Sequence, residues 1–202
     1  HTPDAAQLAE EACRIEIEIL GQPIGRQDQY AAAFGGSNHI AFLSDDTVIV
    51  TPIELDAGTL ASNYFLVYTG ITRKASDILA KQSASTDNKR ADLDVLRQQA
   101  VTVRNALESG DHSTVGQLLD ASWQIKRSLV DGITATALDE LYTSVIELGA
   151  SGGKLLGAGG GGFFLFQAPS EIRTQVEKTH KVIPLVMDSA GSTIIFDDGS
   201  RL

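Results

Sequence analysis

Residues 149–166 read GASGGKLLGAGGGGFFLF, and what flanks this glycine-rich stretch decides the fold. Glycine lets backbone N–H groups approach a ligand and permits positive φ, at an entropic cost that a plain connection does not require. The stretch therefore reads first as a phosphate cradle. Two templates nearly fit: Gly157, Gly159 and Gly162 satisfy G-x-G-x-x-G, and Gly152, Gly153 and Lys154 have the look of a P-loop end. Both fail on context. Such loops leave a strand and open a helix, whereas here Leu138, Leu141, Tyr142, Val145 and Ile146 mark a helical face ahead of the glycines, opened by a Thr136-x-x-Asp139 capping box. After the glycines, Phe163-Phe164-Leu165-Phe166 reads as a buried strand, and Lys154 is followed by Leu155 where a P-loop needs a hydroxyl. The order expected is helix, glycine turn, strand. A second reading stays open, in which the glycines only let a helix pack closely on a strand.

Downstream of this stretch, Pro169 opens a helix through Ile172 and Val176, and strands are expected at 182–187 and 192–196, with a frayed tail over 197–202. Upstream, Tyr64-Phe65-Leu66-Val67-Tyr68 is a strand, and Thr72, Arg73 and Lys74 follow it before a helix at 75–81 and a polar loop at 83–88. Helices are expected over 89–107 and from Ser113 onward, the latter carrying Trp123 as a core residue and Lys126 and Arg127 near its end. From residue 64 the order is thus strand, several helices, strand, helix, strand, strand. That predicts an α+β module with an antiparallel sheet covered on one face by helices.

The N-terminal part begins with a helix over 3–20, with Thr2 as cap and Pro3 in the first turn, although Ile15-Glu16-Ile17-Glu18-Ile19 alternates as a strand would. Next comes GRQDQYAAAFGG at 25–36, in which Asp28 precedes a short helical run and Gly35-Gly36 ends it. A carboxylate there is stabilised by the helix dipole, and two readings stand side by side: a capping aspartate and a catalytic one. Residues 39–43 and 48–53 form a hairpin through Ser44-Asp45-Asp46, and 54–62, which lacks a period, is a crossing between modules.

A net charge of −10 over 202 residues argues against nucleic acid or an anionic membrane as main partner, since both require a basic footprint. One cysteine, Cys13, excludes an internal disulfide framework, and the four histidines have no metal-ligand spacing. No apolar segment approaches membrane-spanning length, so the expected location is cytoplasmic.

Four stretches in order, GRQDQYAAAFGG at 25–36, LVYTGITRKASDIL at 66–79, WQIKRSL at 123–129 and the glycine stretch at 149–166, resemble the GHMP kinase superfamily, in its sugar-1-kinase branch. The resemblance implies a division into residues 1–58, the end of the family's N-terminal domain, and 59–202, a ferredoxin-like C-terminal domain. It implies ATP-dependent phosphorylation of the anomeric hydroxyl of a sugar, with D-glycero-D-manno-heptose 7-phosphate the first expectation. Other sugar-1-kinase activity such as a fucose type, non-catalytic sugar binding, or an inactive fragment are the alternatives. Asp28 then becomes the active-site aspartate, and Arg26, Gln29, Arg73 and Lys126 the substrate or phosphate contacts. Gly157, Gly159, Gly160, Gly161 and Gly162 become the turn near the phosphates. Family members often carry Lys where this chain has Arg26, which alters reach and donor geometry. The family's nucleotide phosphate loop and its magnesium ligands are expected upstream of His1, the chain being read as a fragment.

Overall fold

The structure is a computed structural model that describes residues 3–72, 89–129 and 132–195. Two compact units emerge, His1–Ile53 with Met187–Leu202, and Glu54–Val186. The expected helix at 75–81, the loop at 83–88 and the tail at 197–202 lie outside the described residues.

In the first unit, α1 (Ala5–Cys13) is capped by Asp4, whose carboxylate accepts the Gln7 N–H at 2.8 Å while Gln7 Oε1 accepts the Asp4 N–H at 3.1 Å. This reciprocal box satisfies two otherwise unpaired amides and sets the helix start after Pro3 rather than at it. From Arg14 the helix widens into a π-helical segment, Arg14–Ile19, so the alternating Ile and Glu residues form neither a strand nor a regular continuation of α1. Helix α2 (Gln27–Phe34) follows, then the antiparallel hairpin β1 (Asn38–Phe42) and β2 (Val48–Pro52), with Ile40 opposite Val50. Its turn places Asp46 at φ 65°, and Asp45 accepts the Thr47 N–H at 3.1 Å. Ala9, Cys13, Tyr30 and Ala33 form the buried centre of this unit, with Ile40, Val48 and Val50 packed against it. Residues 188–192 return to the end of α2: Gly36 N–H donates to Asp188 O at 2.7 Å, and Ser192 N–H to Ala33 O at 3.2 Å. A Cβ on Gly35 would sit 2.2 Å from the Gly191 nitrogen, so glycine here permits a backbone crossing besides ending the helix. The strand expected at 192–196 is absent through residue 195, and Ile194 and Ile195 are exposed.

The second unit opens with α3 (Ala57–Asn63), a helix within the stretch read as a crossing between modules; Asp56 caps it by accepting the Thr59 N–H at 2.6 Å. Then come β3 (Tyr64–Tyr68), α4 (Arg90–Glu108), α5 (His112–Leu129), α6 (Thr136–Glu147), β4 (Gly152–Leu155), β5 (Phe163–Gln167), α7 (Ser170–Val176) and β6 (Val182–Pro184). The four strands form one antiparallel sheet in the order β4-β5-β3-β6. This is the ferredoxin-like order, and the α+β expectation holds. Strand β6 stops at Pro184, short of the expected 187, where the ladder loses an N–H donor.

Alternation sorts the aromatic run of β5: Phe164 and Phe166 are fully buried opposite Val67 and Phe65, while Phe163 and Leu165 are only half-buried. Trp123, Leu138, Tyr142, Val145 and Val176 close over that face from α5, α6 and α7. Burying each such aromatic contributes about 2–3 kcal/mol. The box expected at Thr136 does not form. Ala135 is the cap position without a side-chain bond, and Asp139 instead accepts Thr134 Oγ1 at 2.6 Å and pairs with Arg127 at 2.6 Å.

Candidate active site

Strand β4 is what separates this glycine stretch from a simple turn. Gly152 lies against α5, where a Cβ would meet Gly116 O at 2.0 Å, and a Cβ on Gly153 would meet the Phe166 ring at 2.4 Å. These two glycines belong to packing. The β4–β5 hairpin then closes with Leu156 N–H donating to Phe163 O at 2.9 Å. Within the turn, Gly160 N–H donates to Ile133 O and Gly162 N–H to Ile71 O, each at 2.8 Å, and the Thr69 hydroxyl donates to Gly162 O at 3.0 Å. Gly161 is pinned by its surroundings, since a Cβ would stand 2.4 Å from Ile71 O. Gly157 is different: it has φ 65° and open space where a Cβ would be. The N–H groups of Gly157, Ala158, Gly159 and Gly161 have no backbone acceptor among the described residues. Gly152 and Gly153 thus serve packing, while the turn itself offers uncommitted donors of the kind that receive anions.

Lys126 stands beside this turn, its Nζ donating to Gly157 O. Burial, and then the positive charge of Lys154, lower its pKa to about 8. Lys154, on β4, is likewise lowered by burial. It lies two residues beyond Gly152, on the strand face that meets α5. Neither ammonium pairs with a carboxylate among the described residues, whereas the neighbouring Arg127 is held by Asp139 and lies 5.8 Å over the Trp123 ring. Lys154 was legible in the sequence only as a failed P-loop lysine. Its signal was the even spacing from Gly152 in a strand that glycines had hidden.

In the first unit, Arg26, Asp28 and Gln29 sit at the start of α2 with three different surroundings. Asp28 is exposed in the first turn, with no hydrogen bond or ion pair among the described residues. Arg26 pairs with Asp46 at 3.5 Å and lies 5.3 Å over the Phe42 ring, which ties it to the hairpin. Gln29 is buried and its Nε2 donates to Glu16 Oε2 on the π-helical segment, leaving Gln29 Oε1 buried without a partner. Arg73 lies outside the described residues. The fold therefore joins Lys126 to the glycine turn in the second unit and groups the other three about one helix start in the first.

Residues 103–182 match the family described as GHMP kinases C terminal. Over 90% of its length the chain is 35% identical to the D-glycero-alpha-D-manno-heptose 7-phosphate kinase of Campylobacter jejuni, covering 56% of that protein. It is 29% identical to the galactokinase of Pyrococcus furiosus, with 75% of the chain and 50% of that protein covered. The chain thus spans about half the length of these curated relatives. Among solved structures, a putative sugar kinase from Campylobacter jejuni superposes with a TM-score of 0.66 at 30% identity, over 94% of this chain and 56% of that one. An order of strands and helices, a glycine turn and relatives that all agree point one way: residues 103–182 match the C-terminal domain of the GHMP kinases, and the chain is similar to sugar kinases.

Proposed function

We propose that the full-length protein is an ATP-dependent sugar kinase that phosphorylates the anomeric hydroxyl of a sugar, D-glycero-D-manno-heptose 7-phosphate being the first candidate. The observation that carries the kinase reading is the turn at residues 157–162, with uncommitted backbone N–H groups and the Lys126 ammonium beside it, in a chain whose net charge is −10. Such a local concentration of donors in an acidic protein suits phosphate. Identity of 35% to a heptose 7-phosphate kinase favours that substrate, and the likeness to a galactokinase supports a neutral hexose as the second candidate.

Phosphoryl transfer needs positioning and charge stabilisation more than covalent chemistry. In the proposed reaction Asp28 accepts a hydrogen bond from the acceptor hydroxyl and takes its proton as the oxygen attacks the terminal phosphorus, whose bond to the β-phosphate oxygen breaks with the electron pair leaving on ADP. Its exposure, and its lack of a partner among the described residues, leave the carboxylate available. Arg26 and Arg73 are proposed to meet the distal phosphate, and the orphaned Oε1 of Gln29 to accept from a sugar hydroxyl. Lys126 and the glycine turn neutralise phosphoryl oxygens. Magnesium carried with ATP would add charge neutralisation; no three His, Cys, Asp or Glu side chains cluster to hold an ion among the described residues. Residues 1–58 are proposed as the end of the N-terminal domain, and residues 59–202 as the C-terminal domain. Cytoplasmic location belongs to the same proposal, and no helix among the described residues is long and apolar enough to cross a membrane.

The test is coupled ADP release by the full-length protein with heptose 7-phosphate, galactose and fucose, in wild type and Asp28→Asn. Turnover with the heptose phosphate is expected to exceed the others, and the variant to lose roughly 10²–10⁴-fold in kcat while still binding ATP. Near-normal turnover in the variant overturns the role of Asp28; no turnover with any sugar overturns the kinase reading.

A further inference from the structure

We infer that Lys154 is the second cation of a two-lysine anion subsite with Lys126, built to receive a multiply charged phosphoryl group at the glycine turn. The inference rests on the phosphate-facing reading of that turn and adds a residue to it. Strand β4 is the edge of its sheet, and Lys154 extends from the face that packs on α5, the helix that carries Lys126. Two half-buried ammonium groups that repel one another are unfavourable for an empty protein. The usual remedy is a carboxylate between them. Two carboxylates of the adjoining elements are committed elsewhere, Asp120 on α5 accepting from Tyr142 Oη at 2.6 Å and Gln124 Nε2 at 2.8 Å, and Asp139 on α6 being taken by Arg127 and Thr134, while Glu140 and Glu147 on α6 are exposed to solvent. What Lys126 has beside it instead is the Gly157 carbonyl, in the turn that carries the uncommitted N–H groups and follows Lys154 by three residues. An anion with several oxygens completes this set: each ammonium gains a charge-assisted bond, and the amides gain acceptors.

A lysine on an edge strand can also serve only to keep sheets from joining at their edges. That role requires the charge to reach water, and it leaves the neighbouring Lys126 unaffected. The two roles differ in what neutralising Lys154 does. If it is an anion ligand, its removal weakens phosphate binding and relieves a repulsion, so the empty protein becomes more stable.

A pH dependence follows from the pair. Lys126, at about 8 without ligand, is mostly protonated at pH 7 and mostly neutral at pH 9. The groups that act on it are burial and Lys154, with no acid opposing them among the described residues. An anion that requires the charged form should therefore lose about 10-fold in affinity from pH 7 to pH 9.

The experiment is calorimetric titration of this 202-residue chain with inorganic pyrophosphate at pH 7 and pH 9, for wild type, Lys154→Met, Lys154→Arg and Lys126→Met, alongside thermal unfolding of each. Expected are at least about 10-fold weaker binding in either Met variant, partial recovery in Lys154→Arg, the fall with pH in wild type, and a raised midpoint for ligand-free Lys154→Met. Unchanged pyrophosphate affinity in Lys154→Met overturns the inference, as does a lowered midpoint with aggregation, which marks edge protection. Should pyrophosphate bind in this lysine-dependent way while the full-length protein turns over no sugar, the kinase reading falls and the subsite stands. Turnover that survives Lys154→Met with unchanged KM for ATP and sugar leaves the kinase reading and removes the subsite.

Discussion

Gly152→Ala should be among the most disruptive single-methyl changes in the second unit, and its cost can be worked from geometry. The added carbon would lie 2.0 Å from the carbonyl oxygen of Gly116 and 2.7 Å from its carbon, both helix backbone. Real carbons do not come closer than about 3 Å, so α5 and β4 must separate by about 1 Å. Neither can do this cheaply. Trp123, also on α5, is fully buried 5.3 Å edge-on to Phe164, and a gap of 0.5–1 Å forfeits roughly a quarter to a half of each dispersion contact across the seam. The expected loss is about 3 kcal/mol, at the upper end of overpacking changes. With a urea slope of about 2 kcal/mol/M the midpoint should fall by ~1.5 M. Trp123 is the sole tryptophan and sits in the affected unit, so its fluorescence reports the transition. Gly157→Ala is the control: the methyl meets nothing within 4 Å but must adopt φ 65°, which costs about 1–2 kcal/mol. A loss under about 0.5 kcal/mol for Gly152→Ala, or a larger loss for Gly157→Ala, would refute the close-packed seam.

Asp28→Asn should leave the urea midpoint within error of wild type, because the exposed carboxylate holds nothing together in the described structure. Tyr142→Phe removes the donor that Asp120 accepts at 2.6 Å; with Gln124 still bonded, the expected loss is about 1–2 kcal/mol, read by the same denaturation. Asp56 is held below its usual pKa by the Thr59 N–H, and Asp111 by the Thr114 hydroxyl and N–H. Because the folded values are depressed, the stabilisation from these caps is full above about pH 4 and is lost as pH falls through the folded values. Amide exchange at the starts of α3 and α5 should therefore accelerate on acidification below pH ~4 and, once corrected for intrinsic rates, stay flat above it. Protection that is unchanged at pH 2.5 would remove the caps as the cause.

Local signals were enough for most elements. Period-2 and period-3.6 patterns placed β1, β2, β3, β5 and the helices α4, α5 and α6, since each buries a face large enough to govern its own segment. Positions with competing local options went astray. Asp4 with Gln7 forms a capping box, which starts the helix past Pro3, and Asp139 went to Arg127 and Thr134 rather than to its own helix start. Asp56 turned a stretch without a period into a helix by satisfying one early amide.

The sequence by itself determined the class of the second unit and the candidates worth examining: a run such as Phe163-Phe164-Leu165-Phe166 must be buried, and glycines in that number must serve backbone geometry. It also set Asp28 on a short helix ended by Gly35. Only the tertiary structure decided which glycine does what. Gly152 and Gly153 have no strand preference of their own; they become β4 because Gly116 and Phe166 leave no room for a side chain, and β5 supplies the hydrogen bonds. That assignment makes Lys154 share a strand face with Gly152 and meet the helix of Lys126, a relation between residues 28 positions apart in the chain. Periodicity describes one segment at a time, whereas the charge environment of those lysines arises from two segments packed together.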